Sequence, residues 1–323
     1  MNPEHMLVRA LQAGEATGAF GPGVPPVGSD LWLNTFPENA KAYGVFEGEE
    51  LQAILTLQES RRLLIRMVTD PDLAPHCGLT FRECPGNVEK LNGWRKRVMT
   101  ALALFLDRPR WGITSVTFPD WVTDFQPFVW RGFKVLVRYT YQIRLSGQTD
   151  DALLGEMNAT RRNEIRNGHK KALTVVSCED FAVVEQLVAK TYQRQGLSSD
   201  LSQVHALLHG FARPDNSFAY VTRKAGVPVA ACFCIRDATR AYYVLGGVDA
   251  EEGVGAAAPM ALFACIRQAR ELGLEVFDLE GSMIPGIEHY FRSFGGILTP
   301  LYRVVKASLP IEWALKPFRR SIF

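Results

Sequence analysis

Residues 277–296 read FDLEGSMIPGIEHYFRSFGG, and this stretch joins a short apolar run to an amphipathic segment that ends in two glycines. The run EVFDLE at 275–280 is typical of a buried strand, and residues 286–294 have the periodicity of a short helix. Glu280 therefore stands where a strand stops and a helix is about to begin. Functional groups collect at strand ends because loops carry chemistry on a rigid scaffold. Glu280 is thus the first candidate site residue.

The same order of elements occurs earlier in the chain at one constant, gapless offset. That offset places Arg131 on Arg292 and the strand 113–118 on 274–279. A single offset that preserves helix, strand, short helix and strand indicates an internal duplication. Glu280 falls on Pro119 in the first copy. An acid at this strand end is therefore a feature of the second copy alone.

Length and composition agree with two domains. A chain of 323 residues exceeds most single cores, which favours domains of about 100–200 residues. We predict an α+β fold with mixed α/β sheets, an abbreviated N-terminal domain at 1–147 and a catalytic domain at 148–307. The basic tail 308–323 is expected to pack on the first domain rather than on a membrane.

Bulk charge and apolar patterning exclude several classes of protein. The formal net charge is only +2, so the whole-molecule field does not demand a nucleic-acid partner, and no DNA partner is expected. No apolar run approaches the roughly 20 residues that a membrane span needs. Six cysteines are scattered without a CxxC pair, which favours reduced thiols and a cytoplasmic protein.

The order strand, two helices, three-strand meander, helix, strand, helix and strand over residues 173–306 resembles the GNAT acyltransferase fold. Two such units in tandem, the first abbreviated, resemble the Fem family of aminoacyl transferases and its acetyltransferase-like relatives. Three segments carry the resemblance: DFQPFVWRGFKVLVRYTYQIRL, RRNEIRNGHKKALTV and the stretch 277–296. The resemblance implies transfer of an acyl or aminoacyl group from a thioester or an aminoacyl-tRNA to an amine on a small molecule or peptide.

Two departures from family patterns bear on the substrates. The Fem peptidyl ligases have a Phe-Lys-Lys-Gly-Phe-type stretch where this chain has YFRSF at 290–294, so the resemblance does not extend to peptidoglycan ligation. The CoA-binding signature has a partial counterpart in AEEGVG at 250–255. Backbone amides around Gly253 and Gly255 can bind a pyrophosphate at a helix N-terminus, but Glu251 and Glu252 repel one. Acyl-CoA and aminoacyl-tRNA both remain open as co-substrates, and no tightly bound cofactor is expected.

Four residues of the second copy are candidate catalytic groups. Amide formation needs a deprotonated amine, a site for the oxyanion and a proton donor for the leaving group. Glu280 can accept the proton of the amine if its pocket keeps it ionised. Ser282 caps the next helix or donates to substrate, and Arg292 forms an ion pair or binds substrate. Tyr243 can protonate the leaving group, since it and Tyr242 point to opposite faces of one strand.

A basic helix and a histidine pair complete the candidates. Arg162, Arg166 and Lys170 lie at i, i+4 and i+8 of the helix 161–171, where they either grip phosphates of tRNA or CoA or form a solvated face. His205 and His209 have zinc-binding spacing, but no third ligand is evident from the sequence, so no metal is predicted. The degenerate AEEGVG loop leaves an alternative, a catalytically inactive ligand-binding module.

Overall fold

The computed structural model describes residues 6–21, 24–196, 201–251, 255–281 and 283–315. It divides into two compact units. Unit 1 consists of Met1–Arg138 and Pro300–Phe323, and unit 2 consists of Tyr139–Thr299. These boundaries differ from the predicted ones at 147/148 and 307/308, because each unit takes its last strand from the other half of the sequence, as the pairing below describes.

Unit 1 is an antiparallel meander followed by a long helix and a strand that pairs in parallel with the end of the meander. Its strands lie in the order β1-β2-β3-β4-β6-β13, with β5 paired to β3. The strands are β1 (Met6–Ala10), β2 (Lys41–Glu47), β3 (Glu50–Arg62), β4 (Ile65–Thr69), β5 (Thr80–Phe81), β6 (Ile113–Phe118) and β13 (Ile297–Ala307). The helices are α1 (Glu15–Phe20), α2 (Asp30–Thr35), α3 (Val88–Leu106), α4 (Gln126–Trp130) and α11 (Leu309–Leu315).

Unit 2 repeats that order with more complete elements. Its strands lie in the order β8-β9-β10-β11-β12-β7. They are β7 (Lys134–Arg144), β8 (Leu173–Ser177), β9 (Ser217–Lys224), β10 (Val227–Arg236), β11 (Arg240–Val248) and β12 (Val276–Asp278). The helices are α5 (Asp150–Glu156), α6 (Ala159–Asn167), α7 (Phe181–Arg194), α8 (Ser202–His205), α9 (Ala257–Glu271) and α10 (Pro285–Arg292), with a 3-10 turn at Gly168–Lys171 and a π-helix at Ala206–Phe211.

The last strands of the two copies are exchanged. β7 follows the first copy but pairs antiparallel with β12 of unit 2, where Ile143 faces Phe277. β13 follows the second copy but pairs antiparallel with β6 of unit 1, where Val304 faces Val116. Each of these two strands therefore pairs with a strand that is more than a hundred residues away in the sequence.

The central strands of unit 2 form a sheet covered on both faces. Residues 229–235 of β10 are all buried, and α7 and α9 both pack against this strand. A continuous apolar run rather than alternation is the pattern expected for a strand with two covered faces. Cys232 and Cys234 belong to this run, and all six cysteines, each among the described residues, are free thiols.

Two sequence expectations about local structure are wrong. The sequence around residues 3–13 suggests a short helix, but residues 6–10 form β1, because pairing with β2 outweighs that local preference. The basic helix ends at Asn167 and continues as a 3-10 turn, where Gly168 has no room for a side chain against Met260. None of the described helices is long and apolar enough to span a bilayer.

Candidate active site at the end of strand β12

Glu280 lies in the turn that leads from β12 toward α10. Its backbone has φ of 50°, in the left-handed region that L-residues other than Gly, Asn and Asp rarely adopt. Its Oε1 is shielded from solvent and has no hydrogen-bond partner among the described residues. A strained backbone and an unpartnered buried carboxyl oxygen in one residue both cost stability.

A second acid, Asp278, shapes this turn. Its Oδ1 accepts hydrogen bonds from the Thr140 hydroxyl and from the Glu280 amide at 2.8 Å. Its Oδ2 accepts from Gln142 Nε2 at 3.0 Å. Thr140, Gln142 and Asp278 are all buried, so the network forms in a dry environment where each bond is strong. Asp278 thereby holds the backbone of Glu280 in place.

Gly281 brings the turn directly against β7. Its amide donates to Thr140 Oγ1 at 3.0 Å, and a Cβ at this position would overlap the backbone of Tyr139 and Thr140. Only glycine fits such an approach. The glycine after Glu280 therefore lets the strand end contact β7 without a side chain between them.

The environment of Glu280 favours its protonated form. Burial raises the pKa of the Glu280 carboxyl well above its usual range, and the nearby Asp278 carboxylate raises this pKa further. The base role expected from the sequence requires the ionised form and stays a prediction. The neutral form, which these surroundings favour, can donate a proton or a hydrogen bond.

The hydrogen-bond ladder between β11 and β12 stops beside this turn. Their parallel pairing ends at Tyr242 and Asp278, and the register between β10 and β11 shifts after Tyr243, which leaves Val244 as an extra residue. A bulge disrupts the hydrogen-bond ladder locally and is frequent next to active sites. The bulge at Val244 therefore comes two residues after the last residue of β11 that pairs with β12.

Tyr243 lies on the face of β11 that contacts the buried cysteines and α10. Burial raises the pKa of its phenol well above the usual value, and nearby Cys232 adds to the shift. Its ring packs edge-on against Phe291 at 5.9 Å between centroids. Tyr242 points to the opposite face and is 2% exposed, with its hydroxyl donating to Asp237 at 3.2 Å. The alternation predicted for the two tyrosines is thus what the structure contains.

Arg292 takes part in a chain of contacts that anchors α10. Its Nε donates to Glu288 Oε1 at 2.9 Å, which also accepts from the Tyr141 hydroxyl at 2.7 Å. The Tyr141 and Arg292 contacts lower the pKa of the exposed Glu288 carboxyl. In the first copy Arg131 likewise pairs with an acid, Asp107. The structure therefore gives Arg292 an ion pair on the surface of α10.

Ser282, the remaining candidate catalytic residue, lies outside the described residues.

The basic stripe of α6 is largely engaged within unit 2. Arg162 donates to the carbonyls of residues 154, 155 and 157 at the end of α5, and Arg166 lies 3.7 Å from an Asp151 carboxylate oxygen. Lys170 is exposed and lies in the 3-10 turn rather than on the helix. The helical spacing of the three side chains is interrupted, because the helix ends at residue 167. Phosphate binding by these residues stays a prediction.

The glycines proposed to hold a pyrophosphate precede α9. Gly253 lies outside the described residues. Gly255 is two residues before the start of α9, and a Cβ added there would come 3.9 Å from Glu164 Oε1. Glu164 is itself paired with Arg161. The N-terminus of α9 can still offer amides to an anion, and the Glu164 carboxylate is partly neutralised by its partner.

Sequence reasoning missed the residues that support Glu280 and the residue that joins the histidine pair. Thr140, Gln142 and Asp278 are polar residues within apolar strands, which is the one signal that pointed to them. Glu185 of α7 approaches His205 and His209, although 20 residues or more separate it from them in the sequence. Such contacts between separate helices leave no local pattern.

Comparisons with known proteins match part of the sequence to one family and the fold to several solved structures. Residues 158–292 match the family model described as an acetyltransferase (GNAT) domain. This range contains β11, β12, Glu280 and α10. No curated protein sequence is significantly similar to the chain.

Several solved structures share the fold at low sequence identity. The structure of FemX superposes with a TM-score of 0.68 and 12% identity, covering 95% of this chain and 100% of FemX. The C-terminal domain of a putative lysylphosphatidylglycerol synthetase from Agrobacterium fabrum has a TM-score of 0.56 at 14% identity, over 82% of this chain and 83% of that one. A tandem GNAT protein from the clavulanic acid biosynthesis pathway has a TM-score of 0.53 at 12% identity, over 94% and 98% of the two chains. The predicted architecture, two GNAT-like units in tandem, is confirmed.

Proposed function

We propose that this chain, a Fem-like tandem member of the GNAT superfamily, is an N-acyltransferase that moves an acyl or aminoacyl group from an activated donor to an amine. The chemistry is assigned to unit 2, around Glu280. The match of residues 158–292 to an acetyltransferase domain supports transfer chemistry in general.

One observation carries the location of the chemistry. Glu280 combines a left-handed backbone with a buried carboxyl oxygen that lacks a partner among the described residues. Strain and an unpaired buried polar atom persist where function requires them and cluster at active sites. A substrate atom that accepts a hydrogen bond from the Glu280 carboxyl would supply the partner.

The raised pKa suggests an acid role for Glu280 rather than the base role expected from the sequence. The amine nitrogen attacks the acyl carbonyl carbon, an oxyanion forms, and collapse breaks the bond to a thiolate or ribose oxygen. The leaving group gains one proton while the amine loses one, so the exchange is balanced. Protonated Glu280 donates to the oxyanion or the leaving group, and Tyr243, whose phenol is also held protonated, is the second candidate donor.

Acyl-CoA is the donor to test first. Arg162 contacts the end of α5 and Arg166 faces Asp151, which weakens the case for a tRNA-binding stripe on α6. The N-terminus of α9 beyond Gly255 offers backbone amides that suit a pyrophosphate. The acceptor is proposed to be an amine of a small molecule or peptide.

The test first compares two acyl donors and then compares the Glu280→Gln variant with wild type. Acetyl-CoA and aminoacyl-tRNA are incubated in parallel with a panel of amines, and products are identified by mass spectrometry. Amide formation from neither donor would contradict the proposal and favour a binding module. With an active pair in hand, Glu280→Gln is expected to lower kcat by about 10²–10⁴-fold, the usual contribution of acid–base catalysis.

The pH profile separates the two roles of Glu280. If the protonated carboxyl donates, kcat falls as pH rises through its pKa, and this alkaline limb disappears in Glu280→Gln. If an ionised carboxylate is needed, kcat rises with pH over the same range. The second result would restore the base role and overturn the acid assignment while leaving acyl transfer intact.

A further inference from the structure

Three side chains of unit 2, far in sequence from the Glu280 turn, form a compact set of metal-ligand atoms. Glu185 lies on α7, His205 on α8 and His209 on the π-helix that follows. One ligand atom from each of the three lies within 4.8 Å of the other two. We propose that Glu185, His205 and His209 bind a divalent transition-metal ion, with Zn²⁺ as the best match. This site goes beyond the proposed acyl transfer and does not depend on it.

The distances fit a tetrahedral ion. His205 Nδ1 is 3.2 Å from Glu185 Oε1, and His209 Nε2 is 2.9 Å from Glu185 Oε2. Metal–ligand bonds of about 2.0–2.2 Å place neighbouring ligand atoms of a tetrahedral zinc site roughly 3.4 Å apart. The two printed distances are within a few tenths of an ångström of that separation, and all three ligand atoms lie within 4.8 Å of one another.

The two histidines are arranged for a common ligand. They are spaced i, i+4 and their ring centroids are 4.5 Å apart. The segment between them enters a π-helix at Ala206, an irregularity that appears frequently at functional sites. Two imidazoles and a carboxylate are ligands that zinc accepts, with water as the fourth.

Exposure makes the site accessible to ions from solution. The side chains of His205 and His209 are 64% and 36% exposed, and that of Glu185 is 23% exposed. No rearrangement is needed for entry. The same exposure means that substitutions here remove little buried surface, so variants are expected to fold.

The position of the ligands indicates a structural or regulatory role for the metal. An ion would tie α8 and the π-helix to α7. Helix α7 packs tightly on β11, since a Cβ at Gly247 would overlap the backbone of Leu187 and Val188. Metal binding would therefore fix the helices that cover the strand bearing Tyr243, and it is not assigned a part in the chemical step.

The experiment measures metal binding directly on the full, untagged chain. Zinc titration by calorimetry and equilibrium dialysis with elemental analysis are expected to give one tightly bound ion per chain. His205→Ala, His209→Ala and Glu185→Gln should each weaken binding by at least about 10-fold, since even outer partners of metal ligands contribute 10–100-fold. His169→Ala, an exposed histidine elsewhere in unit 2, is the matched control and should bind like wild type.

Two further readouts keep the proposal falsifiable. Saturating Zn²⁺ should raise the Tm of wild type and of His169→Ala but not of the ligand variants, because only a native-state ligand stabilises the fold. Co²⁺ substituted at the site should give the visible spectrum of nitrogen and oxygen ligands. Absence of stoichiometric binding, equal binding by the ligand variants, or a thiolate-to-cobalt band from a cysteine would overturn the proposal. None of these readouts depends on acyl transfer.

Discussion

The properties of single site residues, such as backbone conformation and pKa, could not be predicted from the sequence pattern alone. The strand-end position of Glu280 was readable from EVFDLE, but its left-handed backbone and raised pKa were not. Both depend on what surrounds the side chain, and those neighbours come from other strands. Asp278, Thr140 and Gln142 were visible only as polar residues in apolar runs. Their mutual hydrogen bonds depend on the pairing of β7 with β12.

The backbone of Glu280 predicts an order of stabilities among variants. Glu280→Gly and Glu280→Ala both remove the carboxyl, but only glycine adopts φ near 50° without a steric penalty. Glu280→Gly is therefore expected to be about 1 kcal/mol more stable than Glu280→Ala, at the lower end of the left-handed penalty. Chemical denaturation with a shared m-value measures the difference. Equal stabilities would mean that the turn relaxes and holds no strain.

Asp70 of unit 1 predicts a pH dependence of stability. Burial raises its pKa to about 6, although the Thr117 amide and Arg303 oppose the shift. The unfolded carboxyl titrates near 3.9, so the fold binds this proton more tightly than the unfolded chain does. Stability from this group is present below about pH 4 and is lost as pH rises toward 6, by up to roughly 3 kcal/mol.

Asp70→Asn isolates this effect from the other titrating groups. Asparagine keeps an oxygen for the Thr117 amide but carries no charge at any pH. The difference in unfolding free energy, wild type minus variant, should fall between pH 4 and pH 6 and stay level above that range. A difference that rises over this interval would show that the ion pair with Arg303 outweighs burial.

Elements were easier to predict than their partners. Apolar periodicity located the meander strands of residues 173–306, α9 and the strand–turn–helix at 275–294, because local sequence sets that pattern. The basic helix was predicted too long, since the close packing of Gly168 on Met260 is a tertiary constraint. The histidine pair was visible from its spacing, but Glu185 was not, because it lies on a different helix.

The turn after β12 predicts a sharp difference between two glycines. In Gly281→Ala the new methyl would overlap the backbone of Tyr139 and Thr140. The turn must then shift, and we expect a loss of about 1–3 kcal/mol, the usual cost of overpacking. Gly286 on α10 has no atom near an added Cβ, so Gly286→Ala should be neutral or slightly stabilising. Thermal denaturation of both variants makes the comparison, and similar Tm values would contradict the close contact.

At the scale of the whole molecule, the sequence predicted the internal duplication but did not predict the exchange of the last strands. The constant offset between the copies appears in the linear sequence. Which strand completes which sheet depends on pairing between residues that are more than a hundred positions apart, and such pairing leaves no local pattern. The predicted boundary at 147/148 consequently placed β7 with the first copy, whereas its Tyr141, Ile143 and Leu145 belong to the core of unit 2.

This exchange predicts which fragment of the chain folds. The fragment 139–299 keeps the paired part of β7, whereas 148–307 lacks it and adds the end of β13 without its partner β6. Loss of Tyr141, Ile143 and Leu145 removes three buried side chains, at about 1.5–3 kcal/mol for each large apolar one, and bares the edge of β12. We expect 139–299 to unfold cooperatively in calorimetry and 148–307 to aggregate or lack a transition. Equal cooperative transitions for the two fragments would show that unit 2 does not need β7, and the division at residues 138 and 299 would then have no energetic meaning.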